Sequence, residues 1–280
     1  MLWPVLSSAG IIIGGETVYS VVTGDTLERI GARLGINWRT IVKSNNLDPE
    51  KPLQKGQKLK VNMTKIVPTI LQNGIVINIP DRMLYFFKDG ALADSFPVGL
   101  GKPPKKGCAN WSTPKGPFAI TGKQKNPAWY VPESIQKEME EEGKPVKTFV
   151  PPGPDNPLGK YALKTSIPGV LIHETIWPGS VYQFRSHGCI RVMPGHMEKF
   201  FDEVEINTPG ELIYVPVKVA ISDQKRIFLE VHKDSYGNVK DLKAEAITLI
   251  ENLGVSEKVN WQKVDIMLKE KSGTAKDITL

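Results

Sequence analysis

The sequence predicts a multidomain α+β protein: a small βααβ module, a mostly-β sandwich or barrel spanning about half of the chain, and a small α+β appendage at the C-terminal end. Three features carry this. The chain has 280 residues, nearly two typical domains of roughly 150. Apolar spacing is helical at Leu27, Ile30 and Leu34, alternates at Ile75, Ile77 and Ile79, and is helical again at Ala246, Leu249, Ile250 and Leu253. Pro (22) and Gly (25) are plentiful without a period, which favours short strands and turns and excludes collagen.

With 40% hydrophobic and 24% charged residues, wholesale disorder is excluded. No run of eighteen apolar residues occurs, so no transmembrane helix is expected. Two cysteines make no disulfide framework. A net charge of +6 suits an acidic partner, whether polymer, phosphate or peptide carboxylate. No nucleic-acid reading motif is present, and no nucleic-acid partner is expected. Residues 1–15 are mostly apolar with no charged side chain; they read as an export-signal remnant or as an ordinary apolar lead-in.

Residues 16–62 form the first module. Val18, Ser20 and Val22 alternate with Tyr19 and Val21 as a strand. Asp25 and Glu28 are spaced as a capping box, Leu27, Ile30 and Leu34 follow, and Gly35 stops the helix. Asn37 can cap a second helix bearing Trp38, Ile41 and Val42, and a strand runs from Gln57 to Val61. These residues resemble a LysM domain. The resemblance rests on Tyr19-Ser20-Val21, Gly24-Asp25-Thr26-Leu27, Gly35-Ile36, Asn45-Asn46-Leu47 and Leu53 to Leu59. It implies binding of chitin or peptidoglycan glycan, with Gly24, Asp25, Thr26, Asn45, Asn46 and Leu47 lining the groove.

After a linker at 63–72, residues 73–219 read as the mostly-β domain. Met83–Phe87, Asp89-Gly90 and Ala91–Val98 make a two-residue hairpin signal. Thr113-Pro114-Lys115-Gly116 is turn chemistry before a strand at Phe118–Thr121. Val170–His173 is a strand ending at a histidine, and Glu211–Val219 is a further strand. Met197, Phe200, Phe201 and Val204 mark one amphipathic helix.

The chemistry is concentrated at Ser186-His187-Gly188-Cys189-Ile190-Arg191. A thiol attacks as thiolate and needs a base and an oxyanion dipole. His187 stands two residues before Cys189, so an extended strand would turn both to one face. Gly188 leaves room for a carbonyl to approach backbone amides. His173 ends a separate strand, with twelve residues between it and Ser186. Three readings remain open from spacing alone: a cysteine nucleophile with a histidine base, a buried structural thiol, and a zinc site from His173, His187 and Cys189.

The stretch is similar to the YkuD-type L,D-transpeptidase catalytic domain, whose signature is a histidine, a variable loop, then Ser/Thr-His-Gly-Cys, a hydrophobic residue and Asn or Arg. Thr113–Phe118, Asn156–Gly159 and Tyr161–Leu163 also match. The resemblance implies no cofactor and no metal, with Cys189 as nucleophile and His173 as acid/base. Backbone amides of His187, Gly188 and Cys189 would hold the oxyanion, beside Ser186, with Arg191 steadying the loop or meeting a substrate carboxylate. It also implies a peptidoglycan tetrapeptide stem as substrate, with loss of D-Ala and transfer to an amine. Glu174 departs from the Gly or Ser common after the first histidine, which leaves the group that orients His173 open. In the loop Ile176–Arg185, Trp177, Tyr182 and Phe184 read equally as a lid and as local packing.

The lysines from Lys102 to Lys125 can steer an anionic stem or form a solvated loop. Cys108 reads as a bystander, and His196 and His232 as structural. The acidic stretch Glu133–Gly143 reads as a short exposed helix in an insertion that can lie over the site. Residues 220–280, with Ile227, Leu229 and Val231 alternating and Asn260 able to cap a last helix, are expected to pack on the central domain. The expectation is a secreted bacterial L,D-transpeptidase of the cell envelope, periplasmic or wall-associated, bound to glycan strands and stem peptides. Alternatives are an L,D-carboxypeptidase or endopeptidase, and an inactive glycan-binding wall protein.

Overall fold

The computed structural model describes residues 11–107 and 109–280. The readings of residues 1–10 and of Cys108 lie outside the described residues. The described chain forms two compact units. One gathers the residues up to Gly31 with 36–70 and 214–280; the other holds 71–213 with 32–35. The C-terminal segment therefore joins the N-terminal module in one unit, not the central sheet as expected.

The chain begins with β1 (Ile12–Ile13), β2 (Glu16–Ser20), α1 (Leu27–Leu34), α2 (Trp38–Asn45), β3 (Lys58–Asn62) and β4 (Lys65–Ile66). β2 pairs with β3 and β1 with β4, both antiparallel. The βααβ order holds, but the first cap lies one residue later than the spacing suggested. Thr26 Oγ1 accepts from the Arg29 amide at 3.2 Å. Asp25 instead accepts from Tyr19 Oη at 2.7 Å and the Val22 amide at 2.9 Å, closing the turn behind the strand. Asn37 caps α2 by accepting from the Arg39 amide, satisfying one of the orphan donors of a helix start.

The second unit contains β5 (Gly74–Asn78), β6 (Met83–Lys88), β7 (Ala91–Gly101), β8 (Gly116–Lys125), β9 (Trp129–Tyr130), α3 (Glu133–Glu141), β10 (Phe149–Val150), β11 (Tyr161–Thr165), β12 (Leu171–Glu174), β13 (Phe184–Ser186), β14 (Ile190–Val192), α4 (Pro194–Glu203) and β15 (Pro209–Ile213). Nine strands run in the order β13-β7-β14-β12-β11-β8-β15-β5-β6, and β6 pairs again with β7. The sheet thus closes into a barrel instead of splitting into a sandwich. β7 is the seam: Ala91–Pro97 face β6, Val98 and Gly99 face β14, and Leu100 and Gly101 face β13. Asp89 (φ 51°) and Gly90 (φ 76°) make the tight β6–β7 turn, the pair of positive φ values that a twisted hairpin prefers. Every residue of β5 is buried, as in a strand covered on both faces. α4 buries Met197, Phe200 and Phe201, and Phe200 meets Phe86 and Phe96 edge-on.

The expected strand 211–219 is two strands. β15 ends at Ile213, and β16 (Val217–Ile221) begins a separate three-stranded sheet with β17 (Ile227–Val231) and β18 (Lys276–Asp277). Pro216 lies in the break, where its missing N–H does no harm. α5 (Leu242–Asn252), capped by Asp241, and α6 (Trp261–Glu270), capped by Asn260, cover this sheet. Val217, Leu229, Val231, Ala246, Ile250 and Val264 form its core. A buried ionic cluster lies beneath. Glu230 meets Lys218 at 3.0 Å and His232 at 2.6 Å, and it accepts from the Ile66 amide at 2.6 Å. The charges of Lys218 and His232 outweigh burial and hold the Glu230 carboxyl far below the usual range.

Candidate active site

β12 and β14 run parallel, with Ile172 opposite Ile190 and His173 opposite Arg191. Extending that register one residue back sets Cys189 opposite Leu171. Because side chains alternate along strands, Cys189, Arg191 and His173 belong to one face. The Leu171 amide donates to Cys189 Sγ at 3.5 Å, and the thiol donates to the Gly169 carbonyl at 3.4 Å. Burial pushes the thiol up; the Leu171 amide and the Arg191 charge pull against it without prevailing. The resting group is therefore a protonated thiol.

His173 is almost wholly buried, and its Nδ1 lies 2.6 Å from the Glu174 carbonyl. A carbonyl only accepts, so Nδ1 carries the proton and Nε2 keeps its lone pair. Burial pushes the imidazole down to about 4; the Glu174 and Leu158 carbonyls raise it and the Arg191 charge lowers it further. The orienting group left open by the sequence is thus the Glu174 backbone carbonyl. The Glu174 side chain packs elsewhere: a Cβ at Gly159 (φ 66°) would meet its Cβ at 2.6 Å. Asn156 fastens the preceding loop, donating to the Pro127 carbonyl at 2.9 Å and accepting from the Leu158 amide at 3.0 Å.

The expectation that His187 and Cys189 share a face fails. Gly188 has φ 108°, a conformation that L side chains rarely adopt, and the chain bends there instead of continuing as a strand. His187 turns to Glu138, with Nε2 2.5 Å from the carboxylate, and meets the Trp111 ring edge-on at 4.7 Å. Lys102 donates to the same carboxylate at 3.0 Å. Partial burial raises Glu138, but the Lys102 hydrogen bond and the His187 charge prevail and hold it below the usual range. Burial lowers His187, against the pull of Glu138. Accordingly His173, His187 and Cys189 do not gather their ligand atoms in one place among the described residues, and the zinc reading has no geometric support.

The bend itself is fixed by hydroxyls. Ser186 Oγ donates to the Cys189 carbonyl at 2.6 Å and accepts from the Gly188 amide at 3.2 Å. Thr113 Oγ1 donates to the Gly188 carbonyl at 3.0 Å and accepts from the Gly101 amide at 2.9 Å. Ser186 is thus a tie within the loop, and the Gly188 amide is engaged. Arg191 lies 5.7 Å beneath the exposed Trp177 ring. Tyr182 is buried and Phe184 half-buried, and both rings flank the Arg82 guanidinium, at 4.2 and 5.0 Å. Of the three loop aromatics, those two are packing and Trp177 alone stands over the site.

In the N-terminal module, Gly24, Thr26 and Asn46 are exposed. Asn45 is spent inside the fold, donating to the Ile41 and Lys60 carbonyls and accepting from the Lys60 amide. Asn46 carries the left-handed conformation that ends α2, with φ 49°.

Sequence reasoning missed Glu138, Lys102 and Trp111 around His187. Glu138 stands in the acidic helix expected over the site, but only the fold shows that its carboxylate meets His187.

A half-buried thiol and a neutral imidazole on one face of paired strands are the pieces that thiol acyl transfer uses. A profile of the YkuD family, the L,D-transpeptidase catalytic domain, matches residues 72–219, and one of the LysM domain matches 19–62. The chain belongs to the YkuD L,D-transpeptidase family, with a LysM module ahead of the catalytic domain; it is an enzyme of the cysteine-dependent acyltransferase type. A Salmonella typhimurium protein named "Probable L,D-transpeptidase ErfK/SrfK" is 27% identical over 289 residues, covering 99% of this chain and 91% of its own. An Escherichia coli protein named "Probable L,D-transpeptidase YcfS" is 28% identical, covering 85% and 75%. Among solved structures, the catalytic domain from E. faecium L,D-transpeptidase aligns at 21% identity with a TM-score of 0.36, over 51% of this chain and 98% of its own.

Proposed function

We propose that this enzyme acts on peptidoglycan tetrapeptide stems, with Cys189 as nucleophile and His173 as acid and base. His173 Nε2 takes the thiol proton as sulfur attacks the carbonyl between the diamino acid at position three and D-Ala at position four. The proton then passes to the leaving amine of D-Ala, and a cysteinyl thioester remains. An acceptor amine attacks that thioester, gives its proton to His173, and returns the thiol. The backbone amides of His187 and Cys189 serve the oxyanion, since the Gly188 amide is engaged by Ser186.

The β12–β14 register, with Cys189 and His173 on one face, is the observation that carries this reading. A raised thiol beside a lowered imidazole favours proton transfer during attack over a standing thiolate–imidazolium pair. Arg191, half-buried on that face, suits a stem carboxylate. The LysM module holds the enzyme on glycan through the loops at Gly24–Thr26 and Asn46–Leu47, and a glycan ligand calls for an enzyme of the cell envelope working on the wall side of the membrane. No helix among the described residues is long and apolar enough to cross a membrane.

The test is to incubate the protein and Cys189→Ala with disaccharide-tetrapeptide and read products by mass spectrometry. Cross-linked dimer that needs Cys189 supports the proposal. Tripeptide and free D-Ala without dimer, with acceptor stem in excess, would replace transfer by hydrolysis. Identical unreacted traces from both proteins would remove the catalytic reading.

A further inference from the structure

Arg191 is half-buried on the face that carries Cys189 and His173, and its charge acts on both. Among the described residues its guanidinium has no ion pair and no hydrogen-bonded carboxylate. Burial works against the Arg191 charge, and the Cys189 sulfur supports it only weakly. A half-buried cation without a counter-ion carries a desolvation penalty that an anionic ligand would offset. What does cover it is an aromatic ring. Trp177 lies 5.7 Å above the guanidinium, within cation–π range.

Trp177 is held for that position. Its surface is 51% exposed, yet its backbone is fully engaged. The Trp177 amide donates to Thr175 Oγ1 at 3.1 Å. Its carbonyl accepts from the Ser180 amide at 2.8 Å and from Ser180 Oγ at 2.7 Å. Thr175 and Ser180 are buried, and the Thr175 amide donates to the Val192 carbonyl at 3.1 Å, next to Arg191. Pro178 opens the short 3₁₀ turn that follows, and its ring removes freedom from the segment. A Cβ at Gly99 would meet the Ser180 carbonyl at 2.5 Å and the Arg191 Cβ at 3.2 Å, so β7 leaves just enough room for turn and arginine side by side. An exposed ring buries little apolar area for the fold. Fixed over an unpaired cation, it suits a ligand that arrives beside both.

The chemistry of that ligand follows from the reach of the arginine. A tetrapeptide stem held with its position-three carbonyl at the sulfur ends one residue later, in a free carboxylate. One residue spans about 3.8 Å, and Arg191 stands two residues, about 6.6 Å, beyond Cys189 along an extended chain. The long arginine side chain can therefore meet that terminus. The Trp177 ring covers one face of the guanidinium, so an anion must approach at its edge, where a carboxylate makes two parallel hydrogen bonds. A pentapeptide would put an uncharged amide at that edge and carry a further residue on towards the ring.

We propose that Trp177 is a specificity-determining residue: roofing Arg191, it admits a stem that ends in a free carboxylate at position four and turns away one that continues. The inference rests on the transferase reading of Cys189 and His173 and adds to it the group that senses the end of the stem.

The test measures release of D-Ala from disaccharide-tetrapeptide and of D-Ala-D-Ala from disaccharide-pentapeptide by mass spectrometry, on the full chain, with Cys189→Ala as the blank. Wild type should favour the tetrapeptide about 100-fold or more in kcat/KM. Trp177→Ala should raise the tetrapeptide KM about tenfold while kcat changes less than about twofold. It should also accept the pentapeptide faster than wild type does, so that the preference narrows by about tenfold or more. Trp177→Phe keeps a ring over Arg191 and should restore most of the preference. A ring that served only packing would lower the melting temperature and kcat on both stems together and leave the preference unmoved. An unchanged preference in Trp177→Ala, with Cys189-dependent turnover intact, would overturn this inference alone. No turnover of either stem by wild type would overturn the transferase reading and this one with it.

Discussion

Glu138 lies 49 residues before His187, yet its carboxylate sits 2.5 Å from the His187 ring and also receives Lys102 at 3.0 Å. α3, which carries Glu138, has no buried residue. Polar pairing, more than packing, moors that helix beside the Ser186–Cys189 loop.

Glu138→Gln should loosen the helix while costing under about 1 kcal/mol of global stability, since the pair is partly exposed. The Glu138 carboxyl is held low, so the mooring is complete above about pH 4.5 and fades as pH falls through the folded value. Limited proteolysis should cut within 133–141 several-fold faster in the variant. Nitrogen-detected NMR titration should show His187 titrating lower, because Glu138 raises it. An unmoved or higher His187 value would refute the pairing.

The Cys189 thiol should alkylate slowly at neutral pH. Its rate should rise with a midpoint above the ordinary thiol value of 9.0, because burial raises it. Arg191→Gln should push that midpoint higher still, since the Arg191 charge favours the thiolate. A midpoint that falls in the variant would show that Arg191 does not act on the sulfur.

His173, lowered to about 4, keeps a neutral imidazole throughout the physiological range. The sign is that of a depressed base: protonation begins only as pH falls towards about 4. The acid limb of kcat/KM assigned to this histidine should lie there and not near 6.5. Profiles measured to pH 4 with a substrate whose carboxylates are amidated would decide it; a limb near 6.5 would mean an exposed histidine serves as base.

Thr113 is 1% exposed and bonds both the Gly188 carbonyl and the Gly101 amide. Thr113→Val leaves two buried partners unsatisfied and should cost about 1–3 kcal/mol. Displacement of the nucleophile loop should lower kcat by up to roughly 10²-fold with little change in KM. Thr113→Ser should restore most of it. Loss of stability without loss of kcat would make the residue a fold support only.

Lys218→Met removes the ammonium from the buried Glu230, leaving it His232 and the Ile66 amide, and should destabilise the unit by about 3 kcal/mol at pH 7. Because Glu230 is depressed in the folded state, its contribution is present above its ordinary value of 4.5 and is lost on acidification below it. Urea unfolding of wild type and variant should therefore differ by a constant amount from pH 7 to about 4.5 and converge only as the pH falls below that. A difference that persists unchanged well below about pH 4.5 would argue against the ion pair.

Much of this was legible in the residues. The hairpin at Asp89-Gly90, the α4 face at Met197, Phe200 and Phe201, and the Asn37 and Asn260 caps follow from local spacing and motif. What escaped depended on distance in sequence or on one dihedral angle. The same-face reading of His187 assumed an extended chain, and a single glycine at φ 108° reversed it. The strand expected at 211–219 looked continuous because Tyr214 and Val215 are as apolar as their neighbours, so only Pro216 hinted at the break. The Glu138 contact was invisible because an acidic surface helix carries no address for its partner.

The seam strand β7 has a consequence for synthesis. Its first half pairs with the neighbouring strand through a two-residue turn, whereas Gly99 waits for Arg191 about 90 residues further along the chain. Closing so long a loop costs more entropy than closing a hairpin and slows formation of such pairings. As the chain leaves the ribosome, the hairpin can form early, but the ring cannot shut until β15, which lies between β8 and β5, has emerged. Cys189, just ahead of β14, is made about twenty residues earlier. Its hydroxyl-tied loop and its raised proton affinity wait for that closure, and until then it behaves as an ordinary cysteine in an unfinished chain.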